Sequence, residues 1–135
     1  MTLVDTNVLL DLATDDQKWF DWSTGQLRSA SLAGPLMVNV VIYAELAVRY
    51  EDIGALDAFL RKVGCEIVPI PKEALFLAGK VYAQYRRAGG TRTGVLPDFF
   101  IGAHASVAGI PLLTRDIRRY RTYFPALQLI APDSE

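Results

Sequence analysis

The chain has 135 residues, of which 51% are hydrophobic and 21% charged, with a formal net charge of −1. That length suits one domain, 1–135, with a core that needs no staples, and the lone cysteine, Cys65, excludes an intramolecular disulfide and a sulfur-built metal site. No apolar run approaches the ~20 residues that cross a bilayer, and the near-neutral total excludes nucleic-acid binding by bulk charge. Mean hydropathy is +0.20, as expected if a sheet is buried on both faces. The opening has no basic region and no small-residue cleavage site, so no secretory signal is expected and a cytoplasmic location is.

In chain order, Leu3 and Val4 suit a buried strand and run directly into Asp5, Thr6 and Asn7, which suit a strand end and a helix start. Any of the three can cap the helix VLLDLA, so Asp5 is at this point either a cap or a functional acid. Residues 7–12 read as a short helix, and 17–32 as an amphipathic one carrying Trp19, Phe20, Trp22, Leu27 and Leu32. Gly34-Pro35 ends it, and 36–38 form a second strand. Asn39 then caps the helix VVIYAELAVRY. Glu45 is set among the apolar residues of that helix, where a carboxylate needs a partner or a cation. A solvated face or an ion pair with Arg49 is the alternative.

Residues 54–63 continue as a helix stopped by Gly64. The segment 66–70 is a third strand closed by prolines, with Cys65 as a small buried residue beside it. Lys72 to Arg87 has the clearest helical spacing, with Leu75, Ala78, Val81, Tyr82 and Tyr85 on one face. The loop AGGTRTGV follows, polar and placed to contact substrate, and without the Gly-Lys-Ser/Thr of a phosphate-binding loop. Leu96-Pro97-Asp98 opens the next helix. There Asp98 either serves the helix dipole or stands at the rim of the core as a functional acid. His104, the sole histidine, reads as a packing residue, and Gly109 as the C-cap. Residues 111–114 form a fourth strand that empties into Arg115-Asp116, repeating the pattern of the opening. A short basic helix and a last strand within 127–132 complete an order that predicts a parallel sheet covered by helices on both faces.

Charge is unevenly spread. Acids lie early, at Asp11, Asp15, Asp16, Asp21, Glu51 and Asp52, and arginines late, at Arg86, Arg87, Arg92, Arg115, Arg118, Arg119 and Arg121. In a parallel sheet all strand C-termini share one edge, so Asp5 and Asp116 meet if their strands are neighbours. Convergence of Glu45 and Asp98 on the same cleft is compatible with this topology. Four such carboxylates would repel one another and raise each other's pKa unless a cation joined them. Oxygen-only ligation favours Mg²⁺ or Mn²⁺ over Zn²⁺. Such an ion activates water and stabilises a phosphodiester transition state, while Arg86, Arg87, Arg92, Arg115, Arg118 and Arg119 would hold the phosphate backbone.

The segments LVDTNVLLD at 3–11, AEL at 44–46, PDFFIGAHA at 97–105 and LLTRD at 112–116 give the chain an end-to-end resemblance to PIN-domain proteins of the VapC toxin type. The resemblance implies a three-layer α/β/α sandwich around a five-stranded parallel sheet, and Mg²⁺- or Mn²⁺-dependent endoribonuclease activity. By position, the acidic quartet is Asp5, Glu45, Asp98 and Asp116, with Asn7 and Thr114 in support. The resemblance also implies a homodimer and neutralisation by a cognate VapB-like antitoxin, with the helix at 17–32 and the helix pair through 63 as candidate antitoxin or dimer surfaces.

Other classes fit less well. A haloacid-dehalogenase-like phosphatase needs a second acid where Asn7 stands, and a receiver domain needs a lysine after the fourth strand, where there is none. A PIN fold kept as an RNA-binding or partner-binding module without catalysis would be favoured by loss of a quartet member, and none is missing.

Overall fold

The computed structural model describes residues 1–92 and 94–132; Thr93, within the expected substrate loop, and residues 133–135 lie outside the described residues. The elements are β1 (Thr2–Val4), α1 (Thr6–Ala13), α2 (Phe20–Ala33), β2 (Leu36–Asn39), α3 (Val40–Ala47), α4 (Ile53–Val63), β3 (Cys65–Val68), α5 (Lys72–Arg87), α6 (Leu96–Ala108), β4 (Leu112–Leu113), α7 (Ile117–Tyr123) and β5 (Leu129–Ile130). Every strand pair is parallel and the sheet order is β3-β2-β1-β4-β5. β1 is the central strand, as its apolar opening predicts.

Burial grades outward from that centre. All residues of β1 and β2 are buried, whereas β3 keeps Glu66 and Ile67 exposed and β5 is only half-buried. Strands buried on both faces require helices on both faces, the three-layer α/β/α arrangement. No helix among the described residues is long and apolar enough to cross a membrane.

Several element ends have local causes. Gly64 ends α4 in the left-handed conformation, φ 91°, which a residue with a Cβ adopts only at a cost. β3 stops at Val68 rather than running to 70, because Pro69 has no N–H to give the ladder. α3 also stops short of its apolar pattern, at Ala47. The helix buries only Ile42 and Leu46, and Val48 is 89% exposed, so its circumference is more open than its composition suggests.

Two close contacts fix α6 in place, one to the end of β2 and one to the end of α7. Asn39, fully buried, accepts from the N–H groups of Val41 and Ile42 with its side-chain oxygen, and its amide lies 3.1 Å from Nδ1 of His104. Burial lowers the pKa of His104, which favours the neutral ring able to accept that bond. The histidine is therefore a packing residue that ties α6 to the start of α3. At Gly102 a Cβ would meet the Phe124 ring at 2.5 Å, so glycine lets that ring approach α6 closely.

The chain leaves β1, builds outward through β2 to β3, and then returns to the other side of β1 with β4. Strand order therefore reverses between β1 and β4, and a parallel sheet opens a crevice at the C-terminal ends of such strands. β1 and β4 are in register at Leu3 with Leu112 and Val4 with Leu113. Asp5 and Thr114 follow directly, side by side at the mouth of the crevice.

Candidate active site

Asp5 is the most enclosed acid of the crevice, 3% exposed. Its Oδ2 accepts from Thr114 Oγ1 at 2.8 Å, from Tyr120 Oη at 3.0 Å and from Asn7 Nδ2 at 3.3 Å; its Oδ1 accepts from the Thr6 N–H at 2.8 Å. The last of these makes Asp5 the cap of α1 as well, so the cap and the functional acid are one carboxylate. Burial pushes its pKa from 3.8 up to about 7, the neighbouring charge of Asp98 adds to this, and the hydrogen bonds from Thr114, Thr6 and Tyr120 oppose it.

Glu45 comes in from α3. Thr6 Oγ1 donates to its Oε1 at 2.5 Å, while Arg49, the alternative partner, lies in the turn beyond the end of α3 and donates instead to the Ala13 carbonyl. The Glu45 pKa is raised, first by burial and then by the charge of Asp98, with the Thr6 bond opposing. Asp98, in the first turn of α6, is raised by burial and by the charge of Asp116, and is held down by Arg119. Asp98 is thus the hub whose charge is felt at Asp5 and Glu45 and which itself feels Asp116.

Asp116 stands at the N-cap position of α7 without making a side-chain cap bond, and its N–H donates to Thr114 Oγ1 at 3.0 Å. Thr114 therefore spans both strand ends, bonding Asp5 on one side and Asp116 on the other. Asn7 is a second bridge. Its amide reaches Asp5 and Thr114, and its carbonyl accepts from the Arg115 N–H at 3.1 Å.

The arginines divide by environment. Arg86, Arg87, Arg92 and Arg118 are exposed, with Arg86 lying over the Tyr82 ring. Arg115 turns inward to Asp11, and Arg119 to Asp98 and, at 3.8 Å, to Asp116. The Arg92 N–H donates to Tyr85 Oη, and a Cβ on Gly90 would strike the Tyr85 ring, so the start of the loop after α5 is folded tightly over that tyrosine.

Thr6 and Tyr120 are site residues that the sequence reading did not single out. Thr6 lies within the quoted DTN segment. Tyr120 carried a positional signal, since it is four residues after Asp116 and so on the same side of α7.

The donor chemistry suits a hard divalent cation: oxygen ligands only, with acids that raise one another's pKa and would be relieved by positive charge. Among the described residues, no three acidic, histidine or cysteine side chains stand close enough to share an ion as placed. The positive charge now beside Asp98 and Asp116 is Arg119, and Glu45 is held by Thr6.

A switch-point crevice lined by carboxylates on a β3-β2-β1-β4-β5 parallel sheet defines a class, and the sequence matches it. The PIN domain model aligns with residues 2–125, and the chain belongs to that family. No curated protein sequence matches the chain. In three dimensions it is similar to a chain of VapBC2 from Rickettsia felis bound to a DNA fragment from their promoter, at TM-score 0.74 and 17% identity over 98% of each chain. It is likewise similar to VapBC-1 from nontypeable Haemophilus influenzae (TM-score 0.69, 16% identity) and to a toxin-antitoxin complex from Klebsiella pneumoniae (0.64, 19%), each over 96% of both chains. These likenesses establish the shared fold.

Proposed function

We propose that the chain is a Mg²⁺- or Mn²⁺-dependent endoribonuclease and the toxin of a VapBC-type pair, with Asp5, Glu45, Asp98 and Asp116 as the metal-holding and catalytic acids. What supports this reading is that Asp5, just past β1 at the switch point, and Glu45 both feel the charge of Asp98, in the first turn of α6, which itself feels Asp116, so that the four acids are electrostatically linked. A divalent ion bound there supplies an activated water and stabilises charge developing on a phosphodiester.

The protein's own part is orientation. Thr114, Tyr120, Asn7 and the Thr6 N–H fix the Asp5 carboxylate from four directions, so that it presents a set geometry without rearranging. Thr6 Oγ1 does the same for Glu45. The exposed Arg86, Arg87, Arg92 and Arg118 are suited to the RNA backbone, where guanidinium groups bind phosphate oxygens in pairs.

The partner in this reading is a VapB-like antitoxin, supported by the toxin-antitoxin complexes whose fold the chain shares. A largely apolar groove lined by Leu12, Phe20, Tyr50, Phe59, Lys62 and Val63 offers a seat for an antitoxin segment, and it lies partly on helices named from the sequence as candidate antitoxin or dimer surfaces. A homodimer and a cytoplasmic location belong to the same reading.

The test is RNA cleavage by purified protein with Mg²⁺ or Mn²⁺, with excess EDTA, and after Asp98→Asn. Cleavage with metal alone, lost in EDTA and lost in the folded variant, is expected. Equal cleavage under all three conditions would overturn the metal mechanism.

A further inference from the structure

Arg119 has an unusual position for a surface-helix arginine. Its side chain is 23% exposed, its Nη1 donates to Asp98 Oδ2, and the same nitrogen lies 3.8 Å from Asp116 Oδ2. These are two of the four proposed metal-holding acids, and Asp98 is the one coupled to all the others. Arg118, its neighbour in sequence, is exposed and Tyr120, on its other side, is buried and bonded to Asp5. The turn of α7 thus sends one arginine to solvent and the next into the acids.

A guanidinium and a metal ion compete for the same oxygen lone pairs. While Arg119 donates to Asp98 Oδ2, that oxygen is not free to ligate, and the added positive charge opposes entry of a second cation. Arg119 can leave by rotating its own side chain, which needs no change in the backbone of α7.

We propose that Arg119 is a built-in counter-ion of the acidic site, holding Asp98 and Asp116 in the metal-free protein and giving way when a divalent cation binds. The proposal rests on the metal-nuclease reading and adds to it that metal affinity is set by the Arg119–Asp98 pair. The metal-binding state is then only the fraction of molecules with Arg119 displaced, and apparent affinity is reduced by that fraction. Arg119 is a positioning residue here, acting through Asp98 and Asp116.

The test is calorimetric titration of Mn²⁺ into the wild-type chain, Arg119→Ala, Arg119→Gln, Arg119→Lys and Arg118→Ala, each first checked for folding by circular dichroism. Arg118→Ala removes the same charge from an exposed position. The expected result is Mn²⁺ binding about tenfold tighter in Arg119→Ala and Arg119→Gln than in wild type, little changed in Arg118→Ala, and intermediate in Arg119→Lys. The glutamine variant keeps length and polarity, so it serves if the alanine variant does not fold. Unchanged or weaker binding in both variants, with wild type binding Mn²⁺, overturns the counter-ion role and leaves the metal site standing. No Mn²⁺ binding by any of the proteins overturns both.

Discussion

Asp5→Asn is expected to cost RNA cleavage about 1,000-fold or more and, in the same protein, to make the metal-free fold more stable above about pH 7. On the proposed metal mechanism, the loss of activity follows from removing a charged oxygen ligand while leaving its shape. The gain in stability follows from the burial of Asp5. A carboxyl raised from 3.8 to about 7 has an ionised form disfavoured by about 4 kcal/mol relative to the unfolded chain, an upper bound on what the substitution releases. An asparagine must still satisfy its own amide against Thr114 and Tyr120, so a net gain of about 2 kcal/mol is expected.

The direction with pH is fixed by the same shift. Between the unfolded value near 4 and the folded value of about 7, the folded protein binds more protons at Asp5 than the unfolded chain does. The contribution of Asp5 is therefore most favourable at low pH and is lost as pH rises through about 7. Glu45 and Asp98, also raised, act in the same direction, and His104, lowered by burial, acts in the opposite one. These three are present in both proteins, so the difference between wild type and Asp5→Asn reports Asp5 together with its coupling to Asp98. Thermal unfolding in EDTA at about pH 5 and about pH 8 should show the variant gaining on wild type as pH rises. A constant difference would mean that Asp5 is not the buried acid of raised pKa described.

Arg115→Ala should destabilise the fold by about 3 kcal/mol, the cost of stranding a buried carboxylate. Asp11 is 2% exposed, and Arg115 grips both its oxygens, with Nε at 2.7 Å from Oδ2 and Nη2 at 2.9 Å from Oδ1. Ser23 Oγ donates to the same Oδ2 at 2.6 Å, and the Trp19 ring lies under the guanidinium at 5.0 Å. One side chain thereby ties α1, the start of α2 and the turn between β4 and α7, the turn that carries Asp116. Arg115→Lys should recover only part of the loss, because a lysine offers one point charge where the carboxylate meets a two-pronged fork. Arg118→Ala, exposed, should change stability by less than about 0.5 kcal/mol. Urea unfolding of the three variants measures all of this, and a loss below about 1 kcal/mol in Arg115→Ala would contradict the assigned role.

The sequence made Asp5 conspicuous because an apolar strand running into an acid leaves a charge at the edge of a core. Asp116 was conspicuous because it repeats that setting, but that β1 and β4 are neighbours, on which the meeting of the two acids depended, came only from the sheet order. Facing in the short basic helix was harder to read. With arginines at 118, 119 and 121, composition alone makes α7 a uniformly basic element, whereas its geometry turns Arg119 and Tyr120 toward the acids and Arg118 to solvent. Spacing from Asp116 would have separated them, since residues three and four positions on share its side of a helix. The Arg115–Asp11 pair had no such signal. It joins residues 104 positions apart through the packing of two helices against a turn, and no local pattern encodes which distant acid an arginine will meet.

The proposed chemistry leaves a mark on its product. If a water positioned at the acidic site attacks phosphorus, the terminal phosphate of the cleaved RNA carries one oxygen from solvent, whereas attack by the ribose hydroxyl of the substrate closes a cyclic phosphate with none. The decisive measurement is digestion of total cellular RNA with Mn²⁺ in heavy-oxygen water, followed by mass spectrometry of the termini, with an EDTA control. Linear terminal phosphates bearing one labelled oxygen, absent from the EDTA sample, are the predicted result. Cyclic phosphate ends that persist in EDTA would contradict it.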